Sequence, residues 1–257
     1  MSTTYRLTDL ALPYLLDGTG ISFCAKGLYI LICHVQPESI AHLALVSGVS
    51  GPVVKRECKA LKEEGWLSFD ITKSQRTIIT PTAPDGVQQE LVKWLDGVRA
   101  TWFPAGENIM RSMLDNTVAV SGCLDNCRPT HIANPTSGYR LEFDRFYYSQ
   151  GVAFEFQGIQ HRRRTSLHKS DEEFEDAQTR DLVKIGLCVR HDIEVVEITE
   201  ADLRIDRIVT KIPDRLPLLR VDRASEYVRR LDRIGQEYMY WCKRNRGQNT
   251  KPGGGSA

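Results

Sequence analysis

The chain has 257 residues, 41% of them hydrophobic, and a formal net charge of +1, enough apolar material for one large or two ordinary packed domains and too much for general disorder. No apolar run approaches the ~18 residues that argue for a membrane span, and the opening Met1-Ser-Thr-Thr-Tyr-Arg6 has no secretory apolar region. The 7 cysteines are odd in number and irregularly spaced, which speaks against a disulfide framework and for a reducing cytoplasm.

In chain order, residues 25–34 predict a buried helix, and Pro37 marks the turn after it. Glu38 or Ser39 opens a second helix over 40–46. Gly48, in the tight turn 47–50, suits a left-handed helix stop. A third helix carries Pro52 in its first turn, an apolar stripe of Val54, Cys58 and Leu61, and Gly65 at its end. Lys55, Arg56, Lys59 and Lys62 fall largely outside that stripe and face solvent or DNA. Residues 66–71 and 76–80 alternate like strands around a polar turn containing Lys73, with Arg76 opening the second strand.

Three helices followed by a β-hairpin, with Leu61-x-x-x-Gly65-Trp66-Leu67 closing the third helix, resemble a winged-helix domain over roughly residues 20–80. The resemblance implies a third helix that enters the major groove and a wing, bearing Lys73 and Arg76, that touches the phosphate backbone. Winged helices that bind protein, or simply pack, keep the alternative open. Residues 80–86 are rich in turn formers and read as a linker, with a boundary near 83.

Helices are expected over 87–99 and 105–114. Strands follow at 139–148, 151–157 and 194–198, with a helix at about 173–188 between the last two, an α/β arrangement. A final amphipathic helix spans 222–245. Its stripe of Tyr227, Leu231, Ile234, Tyr238 and Trp241 covers the core or forms a homodimer seam. Residues 247–257 read as a disordered tail.

The chemistry gathers on the hairpin. Asp144 stands in Leu141-Glu-Phe-Asp-Arg-Phe-Tyr, and Glu155 and Gln157 share one face of Val152-Ala-Phe-Glu-Phe-Gln, followed by His161. Cutting a phosphodiester needs a divalent cation, a base for water and a donor for the developing oxyanion. Asp144 and Glu155 supply hard oxygen ligands of the kind that Mg²⁺ or Mn²⁺ takes, if their strands pair.

Asp…Glu-x-Gln on a hairpin is similar to the Asp…(Asp/Glu)-x-Lys signature of restriction-endonuclease-like folds. The longer string Ala153-Phe-Glu-Phe-Gln-Gly-Ile-Gln-His161, then Gln178-Thr-Arg-Asp-Leu-Val-Lys184, Cys188 and a strand, resembles the very-short-patch-repair and EDxHD homing-endonuclease branch over about residues 105–205. The resemblance implies Asp144 as principal metal ligand with Glu155, and Glu107 as the first acid of the EDxHD pattern. Gln157 departs from the usual lysine, so the proton work passes to His161, supported by Asp181. Lys184 lies one turn beyond Asp181, where it meets a phosphate. Arg162, Arg163, Arg164 and Arg128 are expected to grip DNA beside the cut.

Each residue has a plainer reading: Asp144 paired with Arg140 or Arg145, a structural His161, an Asp181–Lys184 helix pair, or a solvated arginine loop. Cys123, Cys127 and His131, with Cys188 as a fourth, offer a zinc set without a second ligand pair. The expectation is an α/β chain with a winged helix over 1–82 and a nuclease domain over 83–246, a Mg²⁺-dependent endodeoxyribonuclease on duplex DNA in a bacterial, nucleoid-associated cytoplasmic setting. The alternatives are a catalytically inactive transcription or replication regulator, which Gln157 favours, and a protein-interaction module.

Overall fold

A computed structural model describes residues 5–18, 20–71, 77–101, 105–120, 122–135, 138–158 and 183–245. The chain is mixed α/β. Its first unit opens with α1 (Leu7–Asp17), which buries Leu7, Ala11 and Leu15. This helix carries Pro13 within it, the residue that disguises it in sequence. Helix α2 (Phe23–Val35) starts where the Ser22 hydroxyl accepts from Ala25 N at 3.0 Å. Helix α3 (Ile40–Ser47) starts where Ser39 accepts from His42 N at 3.0 Å. Each cap satisfies one of the amides a helix start leaves orphaned.

Helix α4 (Gly51–Glu63) buries Val54, Cys58 and Leu61, the stripe its spacing predicts. Strands β1 (Leu67–Ile71) and β2 (Thr77–Pro81) then form an antiparallel pair. The α4–β1 corner is tight: Trp66 N donates to Leu61 O at 2.7 Å. Helices α5 (Asp85–Arg99) and α6 (Ala105–Asp115) lead into a four-stranded sheet.

The sheet order is β3 (Leu124–Cys127), β4 (Phe143–Tyr147), β5 (Val152–Gln157) and β6 (Glu194–Thr199). The first three strands are antiparallel, and β6 runs parallel to β5. A parallel neighbour needs a crossover; residues 183–190, helix α7, lie on that connection. Residues 148–150 form a 3-10 turn rather than more of β4, and Gly151 follows at φ 63. A Cβ there would sit 2.8 Å from Asp192 O, so that position requires glycine twice over. Short β3 is polar and half exposed, and the alternation rule passes over it. Helices α8 (Ile205–Lys211) and α9 (Glu226–Asn245) complete the chain.

Each face of the sheet meets its own core. Tyr147 and Phe154 point to the side where Ile109, Met110 and Met113 of α6 and Leu231 and Ile234 of α9 are buried. Phe146 and Ala153 point to a smaller cluster with Cys188 and Leu187 of α7. The larger core runs without interruption into α1, α2 and α4. The opening segment is also tied polar-wise to the second half. Tyr5 N donates to Asp115 Oδ2 at 2.7 Å, Leu7 N to Asn116 Oδ1 at 2.9 Å, and the Tyr227 hydroxyl to Tyr5 O at 2.9 Å. Among the described residues no single helix is long and apolar enough to cross a membrane. The pair Phe23–Val35 and Ile40–Ser47 passes on composition only as a unit bent by 106°. The tail over 247–257 lies outside the described residues.

Candidate active site

Strands β4 and β5 pair in the register Arg145↔Phe154 and Phe146↔Ala153. Alternation then sends Glu155 to the α7 side, and Arg145 and Phe154 to the α6 side. Asp144 Oδ2 accepts from Phe156 N at 2.6 Å, which ties the two acid-bearing strands together at the carboxylate itself.

Lys184 comes in from α7. Its Nζ is 2.8 Å from Glu155 Oε1, donates to Glu142 O, and lies 4.8 Å from the Phe143 ring centroid. The sequence reading has Lys184 meet a phosphate, and its plainer alternative pairs Lys184 with Asp181 along the helix. In the structure Lys184 faces Glu155, and Asp181 lies outside the described residues.

Glu107 stands on the first turn of α6 and pairs with Arg111 at 3.2 Å. The Arg111 guanidinium also donates to Asn126 Oδ1 at 2.7 Å and to Asp144 O at 3.0 Å. One cation therefore fastens α6, β3 and β4. Asn126 sits at φ 49, a left-handed conformation that asparagine tolerates better than most residues.

The three acids share one field. Burial pushes Glu155 up to about 7, the Asp144 charge adds to the rise, and Lys184 opposes it. Burial also pushes Glu107 up to about 7, with Asp144 and Glu142 adding and Arg111 opposing. Asp144 is raised as well, by burial first and by Glu142; the Phe156 amide, Arg111 and Lys184 pull it down. Carboxylates raised by a neighbouring acid, as Asp144 raises Glu155 and Glu107, are short of positive charge.

Beneath them lies a buried ionic network. Arg145 is 1% exposed. Its Nε donates to Asp125 Oδ1 at 2.8 Å, and its Nη1 to Asp115 Oδ1 at 2.7 Å and Arg111 O at 2.9 Å. Arg6 Nε reaches Asp115 O at 2.8 Å. The chain Arg6, Asp115, Arg145, Asp125, Arg111, Glu107 thus runs from the N-terminal segment to the acids. Sequence reasoning missed Arg111, Arg145, Asp115 and Asp125. Only Glu107-x-x-x-Arg111 carried a usable signal, an i, i+4 helix pair.

Among the described residues no group of three or more His, Cys, Asp or Glu is disposed to hold a metal ion. Cys123, Cys127, His131 and Cys188 are included in that statement. The His131 ring instead lies tilted against the His191 ring, centroids 5.0 Å apart, and Cys188 is buried in the smaller core. Magnesium asks for less: one or two carboxylates with water completing the shell. Asp144 and Glu155 are hard oxygen donors, and the Asp144 charge raises Glu155, so the pair fits that demand chemically.

Gln157 ends β5 and is half-buried. His161, Arg162, Arg163, Arg164, Lys73 and Arg76 lie outside the described residues. Lys55, Arg56, Lys59 and Lys62 stand exposed on α4. Arg56 pairs with Glu57 at 2.5 Å, Lys59 with Glu63 at 3.6 Å, and Lys62 lies 5.1 Å from the Phe69 ring centroid. Arg128 is paired with Glu142. A cleft of about 1330 Å³ opens between the starts of α3 and α4, β2 and Arg220, with Lys55 and Thr77 in its wall. It shares no lining residue with the carboxylates; the chemistry of the acids, not cavity size, marks them out.

No family model matches the chain, and no solved structure matches it. It is 30% identical over 94 residues to an uncharacterized protein, 033L, of Invertebrate iridescent virus 3. The match covers 36% of this chain and 47% of the relative, so the chain spans about half the length of the relative it matches.

Proposed function

We propose that the chain is a metal-dependent DNA endonuclease, a variant of the restriction-endonuclease-like fold related to the very-short-patch-repair and EDxHD branch, with an N-terminal winged helix that holds duplex DNA. The observation that carries the reading is the meeting of Asp144, Glu155 and Lys184 across β4, β5 and α7, with Glu107 in the same field. The order helix, antiparallel strands, helix, parallel strand from α6 to β6 supports it.

Asp144 and Glu155 would hold Mg²⁺ or Mn²⁺. When bound, such an ion neutralises charge on the scissile phosphate and acidifies a bound water. Lys184 answers the problem posed by Gln157. The strand position lacks a cation, but a lysine from α7 reaches the partner acid of the same strand at 2.8 Å. Fixed by the Phe143 ring and the Glu142 carbonyl, it is preorganised to stabilise negative charge that develops on phosphate. Glu107, at about 7, exchanges protons near neutrality. His161 with Asp181 remains the proposed proton acceptor from the sequence pattern.

On the DNA side, the exposed cations of α4 and the cleft beside Lys55 suit phosphate contact. The setting proposed is cytoplasmic. The second reading is a catalytically silent DNA-binding regulator, favoured by Gln157 and by a Lys184–Glu155 pair that neutralises a ligand. Incubation of supercoiled plasmid with Mg²⁺ or EDTA separates the two. Wild type is expected to cut only with the metal, and Asp144→Asn and Lys184→Ala are expected to cut at least about 100-fold more slowly. Specific, salt-sensitive binding with no metal-dependent cutting of any DNA form would establish the regulator instead.

A further inference from the structure

The apolar stripe of α9 outruns the core it covers. Tyr227, Leu231 and Ile234 are buried and Tyr238 is half-buried, whereas the next member, Trp241, is 60% exposed, as is Tyr240 beside it. Large aromatics at the surface call for an account when they are organised, and these are. Tyr238 and Trp241 stack with centroids 6.0 Å apart at 23°. Tyr238 packs on Phe156 at 6.1 Å.

The Phe156 ring occupies the space a side chain at position 106 would need: a Cβ on Gly106 would meet it at 2.1 Å. Gly106 precedes Glu107, and Phe156 follows Glu155. Glu107 is also among the charges that raise the Tyr238 phenol, after burial. A continuous aromatic column therefore leads along the α6 side of the sheet, from beside Glu107 to the surface. At its outer end Lys243 Nζ lies 5.8 Å from the Tyr240 ring centroid, and Lys243 and Arg244 close the helix.

We propose that the Tyr238–Trp241 stack, with Tyr240, Lys243 and Arg244, is a stacking platform for an unpaired base of the DNA strand held at the carboxylate cluster. The proposal rests on the nuclease reading and narrows its substrate to DNA carrying a gap, flap or other unpaired nucleotide. Aromatic faces interleaved with cations are what single-stranded nucleic acid binds. The cations Lys243 and Arg244 beside the stack suit a phosphate backbone, which favours nucleic acid over a second copy as the occupant.

The test is fluorescence anisotropy in Ca²⁺, using a labelled duplex with a short single-stranded gap and the same duplex fully paired, with sedimentation of the free protein alongside. Wild type is expected to prefer the gapped form. Trp241→Ala is expected to lower gapped-DNA affinity about 5- to 150-fold and bring the ratio of the two affinities near one. Trp241→Phe, which keeps an aromatic face, is expected to restore most of the preference. Equal binding of both forms by wild type, or a preference that survives Trp241→Ala, overturns the platform while plasmid cutting leaves the nuclease reading standing. Self-association abolished by Trp241→Ala with the preference intact also overturns it and assigns the face to a second copy. Failure to bind any nucleic acid removes both readings together.

Discussion

On α4 the cations Lys55, Lys59 and Lys62 stand in solvent, and the partners of Lys59 and Lys62 are neighbours on the same surface. Around β4 the charges are inside: Arg145 is held between Asp115 and Asp125, and Arg111 joins Glu107 to the backbone of Asp144. An exposed ion pair contributes a fraction of a kcal/mol because water screens it. A buried charge costs several kcal/mol unless it is fully paired. The first region can change its charges with little consequence for folding, so its cations are free to serve a ligand. The second commits its charges to a fixed arrangement, and the acids left over at its edge, Asp144, Glu155 and Glu107, are the ones whose proton affinity is raised.

The contrast is broken most severely at Arg145. Arg145→Met leaves the buried Asp115 without its cation and the half-buried Asp125 with only the more distant Arg111, and is expected to cost about 3–5 kcal/mol in urea unfolding. A loss under about 1 kcal/mol would mean that the network holds less than its burial implies. Lys184→Ala sharpens the comparison differently, since it removes a cation from the acids and not from the scaffold. Its expected signature is the roughly 100-fold loss of plasmid cutting, with a stability change smaller than that of Arg145→Met.

Acidity distinguishes the regions next. Glu155 and Glu107 have folded values of about 7 against an ordinary 4.5. The folded state therefore binds more protons than the unfolded state between those values, and stability must fall as pH rises from about 4.5 to about 7. Their cost is fully present above about 7 and absent below about 4.5. Urea unfolding across that window should show the decline, and Glu155→Gln should reduce it to the part that Glu107 contributes. A stability that climbs through the same window would contradict the raised values. The smallest effect on folding is expected at Lys55→Ala with Lys59→Ala, within about 0.5 kcal/mol. The same pair should reduce the salt dependence of DNA binding by about two phosphate contacts.

How much of this was legible in the sequence divides along the same line. Helices α2, α4, α5 and α9 follow from apolar spacing because each buries one side, and α3, which buries Leu43 alone, follows from its Ser39 and Gly48 punctuation. The β4–β5 hairpin was legible through its alternation. Helix α1 was not, since Pro13 interrupts its pattern, nor was β3, whose four residues are largely polar. At the site, Asp144, Glu155, Lys184 and Glu107 were named from motif order, but their partners were not. Lys184 facing Glu155 and Arg111 joining Glu107 to Asp144 arise from a crossover and a helix packing that bring together residues tens of positions apart. No local period encodes that. The arginine at 145, one of two read as a surface partner for Asp144, is instead the most completely buried cation among the described residues and turns to α6.

The claim on which the account turns is that Asp144 and Glu155 form a cation site. Calorimetric titration of the protein with Mn²⁺, beside Asp144→Asn, tests it without any assumption about DNA. The account predicts saturable binding by wild type that Mg²⁺ competes away and that Asp144→Asn weakens at least tenfold. No binding, or binding that Asp144→Asn leaves unchanged, would contradict it.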